Sequence, residues 1–448
     1  MNYPAKIIIG ENQNNVCHEN ANPDPFILRQ GNKYYCYTSA YYGVKILESE
    51  DLKSFTENGY VYSGIEEKSF WAPAVIQWKD KYYLYYSSLK KEEMDDHKHY
   101  LRVAVSDNPK GPFKYLNTLT DYFAIDPHVV SSNGRYFVFY AANIEQNEEN
   151  GRIGTTIWVD ELIAPDVMAG RNRTVLLPTI DEEIFARNRF GDGRDWHTLE
   201  GPFYLSDGVH SWLMYSGNAY TSPDYFIGYA EAEYKEDLCE LQFKKMPSSS
   251  VYQPLVHAGN GITGTGHNSV TQGLDHLTSV IVYHGRVSGG KTDGNQDDRM
   301  IFTDYIWREN NRLCTEAPSE TGIGELKRPD IHFLDGKAFQ MCEKNVDGEK
   351  KLSGKYELKL PKDQDLYIEI CGSSFGNGVS IKEVKSKKTF LELKGKYHQQ
   401  AGILFSKGKM YVRYEEEWKT PMTYKMPESL LVDIEEEASL FYIDGTLM

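Results

Sequence analysis

A two-strand pattern recurs five times between residues 15 and 310. In each copy an apolar stretch follows an acidic or small residue close to proline, and a turn then leads into a second run, usually rich in tyrosine. Residues 126–130 and 136–140, for example, flank the dipeptide Asn133-Gly134. Because Asn-Gly and Asp-Gly adopt the positive φ angles that tight hairpins need, each copy predicts two antiparallel strands joined by a hairpin.

The spacing of the copies predicts the architecture. Asp24, Ala72, Asp126, Glu200 and His267 mark the copies at intervals of about 50 to 75 residues, which is room for about four strands each, or one blade of a β-propeller. No strong helical periodicity appears in this region. We therefore predict a five-bladed β-propeller over residues 1–322, whose last blade ends near residues 301–307.

The pattern changes after about residue 325. Lysine and glutamate become more frequent, and residues 356–360 and 366–370 alternate strictly between polar and apolar. Such alternation is typical of antiparallel strands with one face in water. The predicted fold class is therefore all-β, with a C-terminal β-sandwich-like domain over residues 323–448. We expect this domain to brace the propeller rather than to bind sugar.

Charge and composition limit the classes of molecule that this protein is expected to bind. The net charge of −16 argues against nucleic acid and against anionic membranes. The 33 tyrosines suit strands, and they also suit sugar sites, where rings pack on C–H faces. The six cysteines form no CxxC pair, so buried free thiols are favoured over a metal cluster or a disulfide framework.

The N-terminus shows no signal-peptide pattern, and no run approaches the roughly 20 apolar residues of a membrane span. The sequence as given favours a cytoplasmic protein. A secreted or periplasmic protein whose leader was removed would have the same sequence. The oligomeric state stays open.

Three of the five marker residues are acidic. The innermost strand of each propeller blade lines a central channel, so Asp24, Asp126 and Glu200 are expected to converge at one end of it. Any one of them alone is more often a turn residue. Together they are costly for stability, because like charges brought close repel. Inverting hydrolysis of a glycosidic bond needs such a set, with a carboxylate base and a carboxylic acid roughly 6.5–9.5 Å apart.

A series of short motifs occurs in a defined order. It runs through Asn22-Pro23-Asp24-Pro25-Phe26, Phe70-Trp71-Ala72-Pro73, Ile125-Asp126-Pro127, Leu199-Glu200-Gly201-Pro202 and Gly266-His267-Asn268-Ser269. The series resembles glycoside hydrolase family 43 over about residues 15–310. Members are five-bladed propellers that hydrolyse arabinofuranosides, xylosides or galactosides with inversion.

The resemblance implies a role for each acid. Asp24 would be the general base and Glu200 the general acid, whose pKa must be raised for it to be protonated near neutral pH. Asp126 would tune that pKa and orient the acid. The expected reaction is exo-acting release of terminal α-L-arabinofuranosyl or β-D-xylosyl residues, with β-galactosyl as a third option, from plant-type oligo- or polysaccharides. No cofactor is required.

The resemblance also suggests binding residues. Trp71 would form an aromatic wall of the sugar pocket, with Phe70 beside it, and Arg299 would bond sugar hydroxyls, with Arg286 as its competitor. His267 resembles a channel histidine that approaches a central Ca²⁺, usually through water, or a structural water in its place. A lone histidine signals metal only weakly, because calcium prefers oxygen ligands. Ala74 departs from the family, where an acid is frequent at that place.

Other functions compete with this interpretation. Retaining fructosidases typically carry Arg-Asp-Pro and Glu-Cys where this chain has Ile125-Asp126-Pro127 and Glu200-Gly201. A propeller phosphorylase would need basic residues near Glu200, and the local sequence offers only Arg187, Arg189 and Arg194. A sugar-binding propeller without catalysis would not need three converging acids.

Overall fold

The computed structural model describes residues 4–326 except 11–19, 31–32, 79–80, 277 and 289–297, together with separate segments between residues 331 and 447. It is built almost entirely of strands. In the described part, helical structure is limited to three short 3₁₀ turns, at Asp96–Lys98, Asp181–Glu183 and Leu238–Glu240. The all-β prediction is confirmed.

Two of the five blades come from residues 26–118. Blade 1 consists of β2 to β5, with the short β1 parallel to β5 on its outer side. Blade 2 consists of β6 to β9 in chain order. Their bounds are β1 (Lys6–Ile9), β2 (Phe26–Gln30), β3 (Lys33–Thr38), β4 (Val44–Ser49), β5 (Ser54–Tyr62), β6 (Glu67–Trp78), β7 (Lys81–Lys90), β8 (Tyr100–Ser106) and β9 (Lys114–Thr118).

The other three blades follow in order. Blade 3 is built on β10 to β12 with the short β13 and β14 beside β12, blade 4 on β16 to β19, and blade 5 on β20 to β23. Their bounds are β10 (Ala124–Ser132), β11 (Arg135–Ile144), β12 (Ile153–Ala164), β13 (Val167–Met168), β14 (Arg173–Leu176), β15 (Ile184–Ala186), β16 (Trp196–Ser206), β17 (His210–Gly217), β18 (Phe226–Glu233), β19 (Lys244–Lys245), β20 (Ile262–Gln272), β21 (Ser279–Val287), β22 (Met300–Glu309) and β23 (Arg312–Thr315).

Blades 3 and 4 are joined by a short parallel ladder. Ile153, at the start of β12, pairs with Trp196 at the start of β16, and the short β15 pairs antiparallel with the same end of β16, at Trp196 and His197. The hairpin between β10 and β11 turns on Asn133 and Gly134, both with positive φ. This is the turn chemistry that the Asn-Gly dipeptide predicted.

Five apolar clusters lie between neighbouring blades and close the ring. Tyr35 and Tyr37 pack toward blade 2, whereas Tyr34 and Cys36 of the same strand pack toward blade 5. Comparable clusters join blades 2 and 3, 3 and 4, and 4 and 5. Both faces of a blade are therefore buried, and this is why the second strands are tyrosine-rich runs without polar alternation.

The strands after residue 330 form a separate connected set of thirteen. The long β28 exchanges partners along its length, pairing first with β30 and later with β29 and β34. The predicted division at residues 322/323 falls between β23 and β24 and stays a prediction. The bounds are β24 (Ile331–His332), β25 (Glu343–Val346), β26 (Glu349–Leu352), β27 (Gly354–Lys359), β28 (Leu366–Glu383), β29 (Thr389–Gly395), β30 (Gln400–Ser406), β31 (Lys409–Tyr414), β32 (Glu417–Trp418), β33 (Met422–Thr423), β34 (Ser429–Ile434), β35 (Ala438–Ile443) and β36 (Thr446–Leu447).

No helix among the described residues has the length and apolarity to cross a membrane. In the same residues Cys36, Cys239 and Cys314 are free thiols, and the first two are buried. Their burial agrees with the expectation of buried free thiols.

Candidate active site

One backbone feature repeats in all five blades at the mouth of the channel. At or just before the innermost strand of each blade, a residue at the corresponding position has positive φ, and the five are Asp24 (56°), Ala72 (45°), Asp126 (58°), Gly201 (57°) and His267 (50°). In blades 2 to 5 the strand pairing shifts register beside this residue. Such bulges re-aim a side chain, and left-handed backbone at a residue other than glycine costs about 1–3 kcal/mol.

This repeat corrects the placement of the acid within blade 4. The sequence marked Glu200 as the equivalent of Asp24 and Asp126, but Gly201 occupies that position and Glu200 precedes it by one residue. A Cβ atom on Gly201 would lie 3.1–3.3 Å from ring atoms of His267. Glycine therefore meets two needs there, positive φ and close contact with the imidazole.

Asp24 is surrounded by cationic and neutral donors. Its Oδ1 accepts from Arg299 Nη1 at 3.1 Å and lies 3.3 Å from His267 Nδ1, and its Oδ2 accepts from Ser39 Oγ at 2.5 Å. Burial alone would raise the pKa of Asp24. The positive charge of Arg299 is the largest of the effects that lower it, and together they outweigh burial and hold the pKa of Asp24 well below its usual range. Asp24 is therefore a carboxylate over a wide pH range, as a base must be.

The pKa values of Asp126 and Glu200 are displaced in the opposite direction, upward. Burial raises the pKa of Glu200 to about 7, opposed by a hydrogen bond from Tyr225 and reinforced by the charge of Asp24. Burial and the charges of Glu200 and Asp24 raise the pKa of Asp126 well above its usual range. The Asp126–Glu200 pair therefore retains a proton while Asp24 is ionised. Separated pKa values of this kind distinguish an acid from a base in one site.

His267 lies between the two aspartates. Its Nδ1 is 3.3 Å from Asp24 Oδ1 and 3.9 Å from Asp126 Oδ2, and its backbone N–H donates to Ser216 Oγ at 2.7 Å. Burial lowers the pKa of His267, so the imidazole is neutral. Asp126 Oδ2 also accepts the N–H of Gly201 at 2.9 Å, which ties blade 3 to the residue after the acid.

The described residues do not fit a metal ion at this point. No group of three or more His, Cys, Asp or Glu side chains in that part of the chain is arranged to hold one. His267 directs Nδ1 at carboxylates, whereas Ca²⁺ takes six to eight oxygen ligands. The calcium expectation stays a prediction.

Of the two candidate arginines, Arg299 reaches the site. Its guanidinium contacts Asp24 and lies over the ring of Tyr220, with 4.9 Å from Cζ to the ring centroid. Arg286 is instead held by Asp298, at 2.8 Å from Nε, and by the carbonyl oxygen of Tyr220. Much of the loop between Arg286 and Arg299, residues 289–297, lies outside the described residues.

The two aromatic residues of the second motif lie in different places. Trp71 is partly exposed, and its indole stacks on the imidazole of His99 with ring centroids 3.6 Å apart. Phe70 has no exposed surface and packs between Tyr62 and Tyr86 in the core that joins blades 1 and 2. Trp71 can therefore offer a face to a sugar, and Phe70 cannot.

Sequence reasoning missed two residues of the site. Tyr225 Oη donates to Glu200 Oε1 at 2.6 Å, and His284 Nδ1 accepts the backbone N–H of Asp24 at 3.1 Å. His284 lies in β21, and nothing in its sequence context pointed to the site. Tyr225 lies just before β18, in a stretch that carries no motif.

These groups can together perform an acid–base displacement. Asp24 supplies an ionised carboxylate, Glu200 supplies a carboxyl that holds its proton to about pH 7, and Arg299 contacts Asp24. Trp71 precedes Ala72, whose N–H donates to Ser39 Oγ, the hydroxyl that also donates to Asp24. A protonated acid and an ionised base held in one site are the equipment for cleaving a glycosidic bond.

Comparison with known proteins agrees with this geometry. The sequence model of the family "Glycosyl hydrolases family 43" matches residues 13–311. Among curated proteins, the extracellular exo-α-(1→5)-L-arabinofuranosidase of Streptomyces avermitilis is 22% identical over 336 residues. The match covers 70% of this chain but 65% of that enzyme, so it spans less than two thirds of the relative's length.

Solved structures share the fold. A thermostable family-43 glycoside hydrolase superposes with a TM-score of 0.57 at 27% identity, covering 68% of this chain and 96% of that one. The xylan β-1,4-xylosidase of Bacillus halodurans C-125 gives a TM-score of 0.51 at 14% identity, covering 94% of this chain and 97% of its own. The five-bladed propeller predicted from the repeats is confirmed.

Proposed function

This chain belongs to glycosyl hydrolase family 43, and from that premise we propose that it is an inverting exo-glycosidase that releases terminal α-L-arabinofuranosyl or β-D-xylosyl residues. Asp24 is the general base and Glu200 the general acid. The observation that carries the proposal is the opposite displacement of their pKa values at one end of the channel.

The proposed reaction is a single displacement. Asp24 accepts a proton from a water molecule, whose oxygen attacks the anomeric carbon as the glycosidic bond breaks. Glu200 donates its proton to the departing oxygen, so the leaving group departs neutral. Asp126 accepts the N–H of Gly201, and the Asp126–Glu200 pair together retains the proton that the reaction needs. Bulk water then returns both carboxyls to their starting states.

The sugar is proposed from two sources. The Streptomyces relative is named for releasing α-L-arabinofuranosyl units, and a xylosidase shares the fold. Trp71 offers an aromatic face and Arg299 a set of N–H donors, both of which suit a small sugar ring. β-Galactosyl substrates remain a third option.

Exo action is supported by a contact at the rim. Arg189, from the segment before β16, places Nη2 3.2 Å from His97 Nε2, in the loop that joins β7 to β8. His97 in turn packs near Phe123, at the start of blade 3. The two loops thus meet and wall one side of the mouth, whereas an endo-acting enzyme needs a groove that is open at both sides.

Specific contacts disfavour the competing enzymes. A phosphorylase would need free cationic groups, but Arg187 pairs with Asp195 and Arg194 with Asp192. The anomeric configuration of the released sugar distinguishes a retaining enzyme from the proposed one. The release of any sugar distinguishes an enzyme from a non-catalytic protein. The cytoplasmic expectation stays a prediction, and the extracellular Streptomyces relative supports the secreted alternative.

The test of this function is a panel of 4-nitrophenyl glycosides carrying α-L-arabinofuranosyl, β-D-xylosyl, α-L-arabinopyranosyl and β-D-galactosyl groups. We expect release of nitrophenol from the arabinofuranoside or the xyloside, because a terminal sugar fits a walled pocket. Glu182→Gln, an exposed change on the 3₁₀ turn at Asp181–Glu183, should keep full activity. Sugar binding without release from any substrate, including oligosaccharides, would support a non-catalytic protein instead.

A further inference from the structure

We propose that Tyr225 and His284 act as one stacked pair that positions the acid relative to the base. This inference rests on the proposed function, since it concerns how Glu200 and Asp24 are held. The two residues come from blades 4 and 5, whereas the base comes from blade 1 and the acid from blade 4. Neither residue needs to contact the substrate for this role.

Tyr225 fixes the acid. Its side chain is buried, with 1% exposed, and its Oη donates to Glu200 Oε1 at 2.6 Å. The ring lies directly against Gly266, where a Cβ atom would approach it within 1.9 Å. The absence of a side chain at residue 266 therefore makes room for this ring, and with it for the hydrogen bond to the acid.

His284 fixes the base through its backbone. The imidazole has no exposed surface, and Nδ1 lies 3.1 Å from the backbone N of Asp24. Because an amide N–H can only donate, Nδ1 is the acceptor of this bond, and the same nitrogen lies 3.3 Å from Asp24 Oδ1. Burial lowers the pKa of His284 to about 4, in agreement with a neutral ring. The bond holds Asp24 at a positive φ that it would not favour unaided.

The two rings lie parallel to each other and are laterally offset. Their planes are 5° apart and their centroids 5.7 Å apart, an offset stack between residues that each contact one catalytic carboxyl group. A displacement of either ring is therefore transmitted to the other in a close-packed interior. The pair gives a physical connection between acid and base that passes through the buried interior.

The experiment compares substrates with poor and good leaving groups, a methyl glycoside and a 4-nitrophenyl glycoside of the sugar found in the panel. Tyr225→Phe keeps the ring but removes the donor, so it weakens acid catalysis. We expect kcat to fall about 10- to 100-fold on the methyl glycoside and much less on the nitrophenyl glycoside, with KM unchanged. The high-pH limb of kcat/KM should move to higher pH, because the lost hydrogen bond lowered the pKa of Glu200.

Two variants of His284 separate its two contacts. His284→Phe keeps the ring and removes the acceptor, so kcat should fall by the same factor on both substrates, since only the base is disturbed. His284→Asn keeps an acceptor near the place of Nδ1 and removes the ring. If the stack couples the two residues, the kcat of this variant acquires the leaving-group dependence of Tyr225→Phe. The double variant that combines Tyr225→Phe with His284→Asn then loses less kcat than the product of the two single losses.

Tyr252→Phe is the matched control, because Tyr252 is partly exposed and packs on Phe226 in the same blade. It should leave both substrates and the pH profile unchanged. Thermal melting of every variant separates misfolding from a positioning effect. The proposal would be overturned if the kcat losses of the two single variants multiply in the double variant. It would also be overturned if Tyr225→Phe loses kcat equally on both leaving groups, or if its high-pH limb does not move. A wild-type protein that releases no sugar would instead contradict the function itself.

Discussion

Glu200→Gln is expected to lower kcat by roughly 10²- to 10⁴-fold on substrates with a poor leaving group, because it removes the proton that the departing oxygen needs. The change is nearly isosteric, and the amide oxygen can still accept the hydrogen bond from Tyr225. The loss should shrink with a 2,4-dinitrophenyl glycoside, whose leaving group departs without protonation. Initial rates on the two substrates measure the difference.

The pH profile of the same variant is a second readout. In the wild type, activity should fall as pH rises through about 7, because the acid then loses its proton. Glu200→Gln cannot ionise, so this limb should disappear from its residual activity. Equal losses on both leaving groups, or a limb that persists unchanged, would assign the acid role to another residue.

Asp24→Asn is expected to lower kcat by a similar roughly 10²- to 10⁴-fold, but by the same factor whichever group departs, because the attacking water always needs a base. The wild-type carboxyl has its pKa held well below the usual range, so the low-pH limb should appear only in strong acid. Stopped assays across pH and leaving group measure both effects. Near-normal turnover in the folded variant would exclude Asp24 as the base.

Asp24→Asn also leaves Arg299 without its anionic partner. Breaking a buried ion pair from one side costs about 3–5 kcal/mol, so the variant could fail to fold for reasons unrelated to catalysis. Asp24→Glu keeps the negative charge and displaces it by one methylene. It should fold and still lose about 10²-fold in kcat, because a shift near 1 Å misplaces the base. Asp107→Asn, at the opposite end of blade 2, is the exposed control.

The fold could be predicted because each blade repeats its own pattern. The recurring pairs of strands predicted five blades, and Asn133-Gly134 predicted a hairpin, and both predictions are confirmed. The repeat also indicated which acids converge. In blade 4 the predicted equivalent position was wrong by one residue, because Gly201 and not Glu200 occupies it. The sequence does not show the two reasons, which are the positive φ at this position and its close contact with His267.

The remaining site residues depend on contacts between distant parts of the chain. Tyr225 and His284 come together only when blades 4 and 5 pack, and no local pattern marks them. The choice of Arg299 over Arg286 likewise depends on which guanidinium Asp298 already holds. Phe70 and Trp71 are sequence neighbours that point into different environments, which a motif alone does not resolve.

The measurement that tests the central claim most directly is the anomeric configuration of the first sugar released, followed by proton NMR before mutarotation. A base and an acid acting in one displacement predict inversion, so an α-L-arabinofuranoside should yield the β-anomer first. If the released sugar keeps the α configuration, a covalent intermediate intervenes, and the assignment of Asp24 as a base that activates water is contradicted.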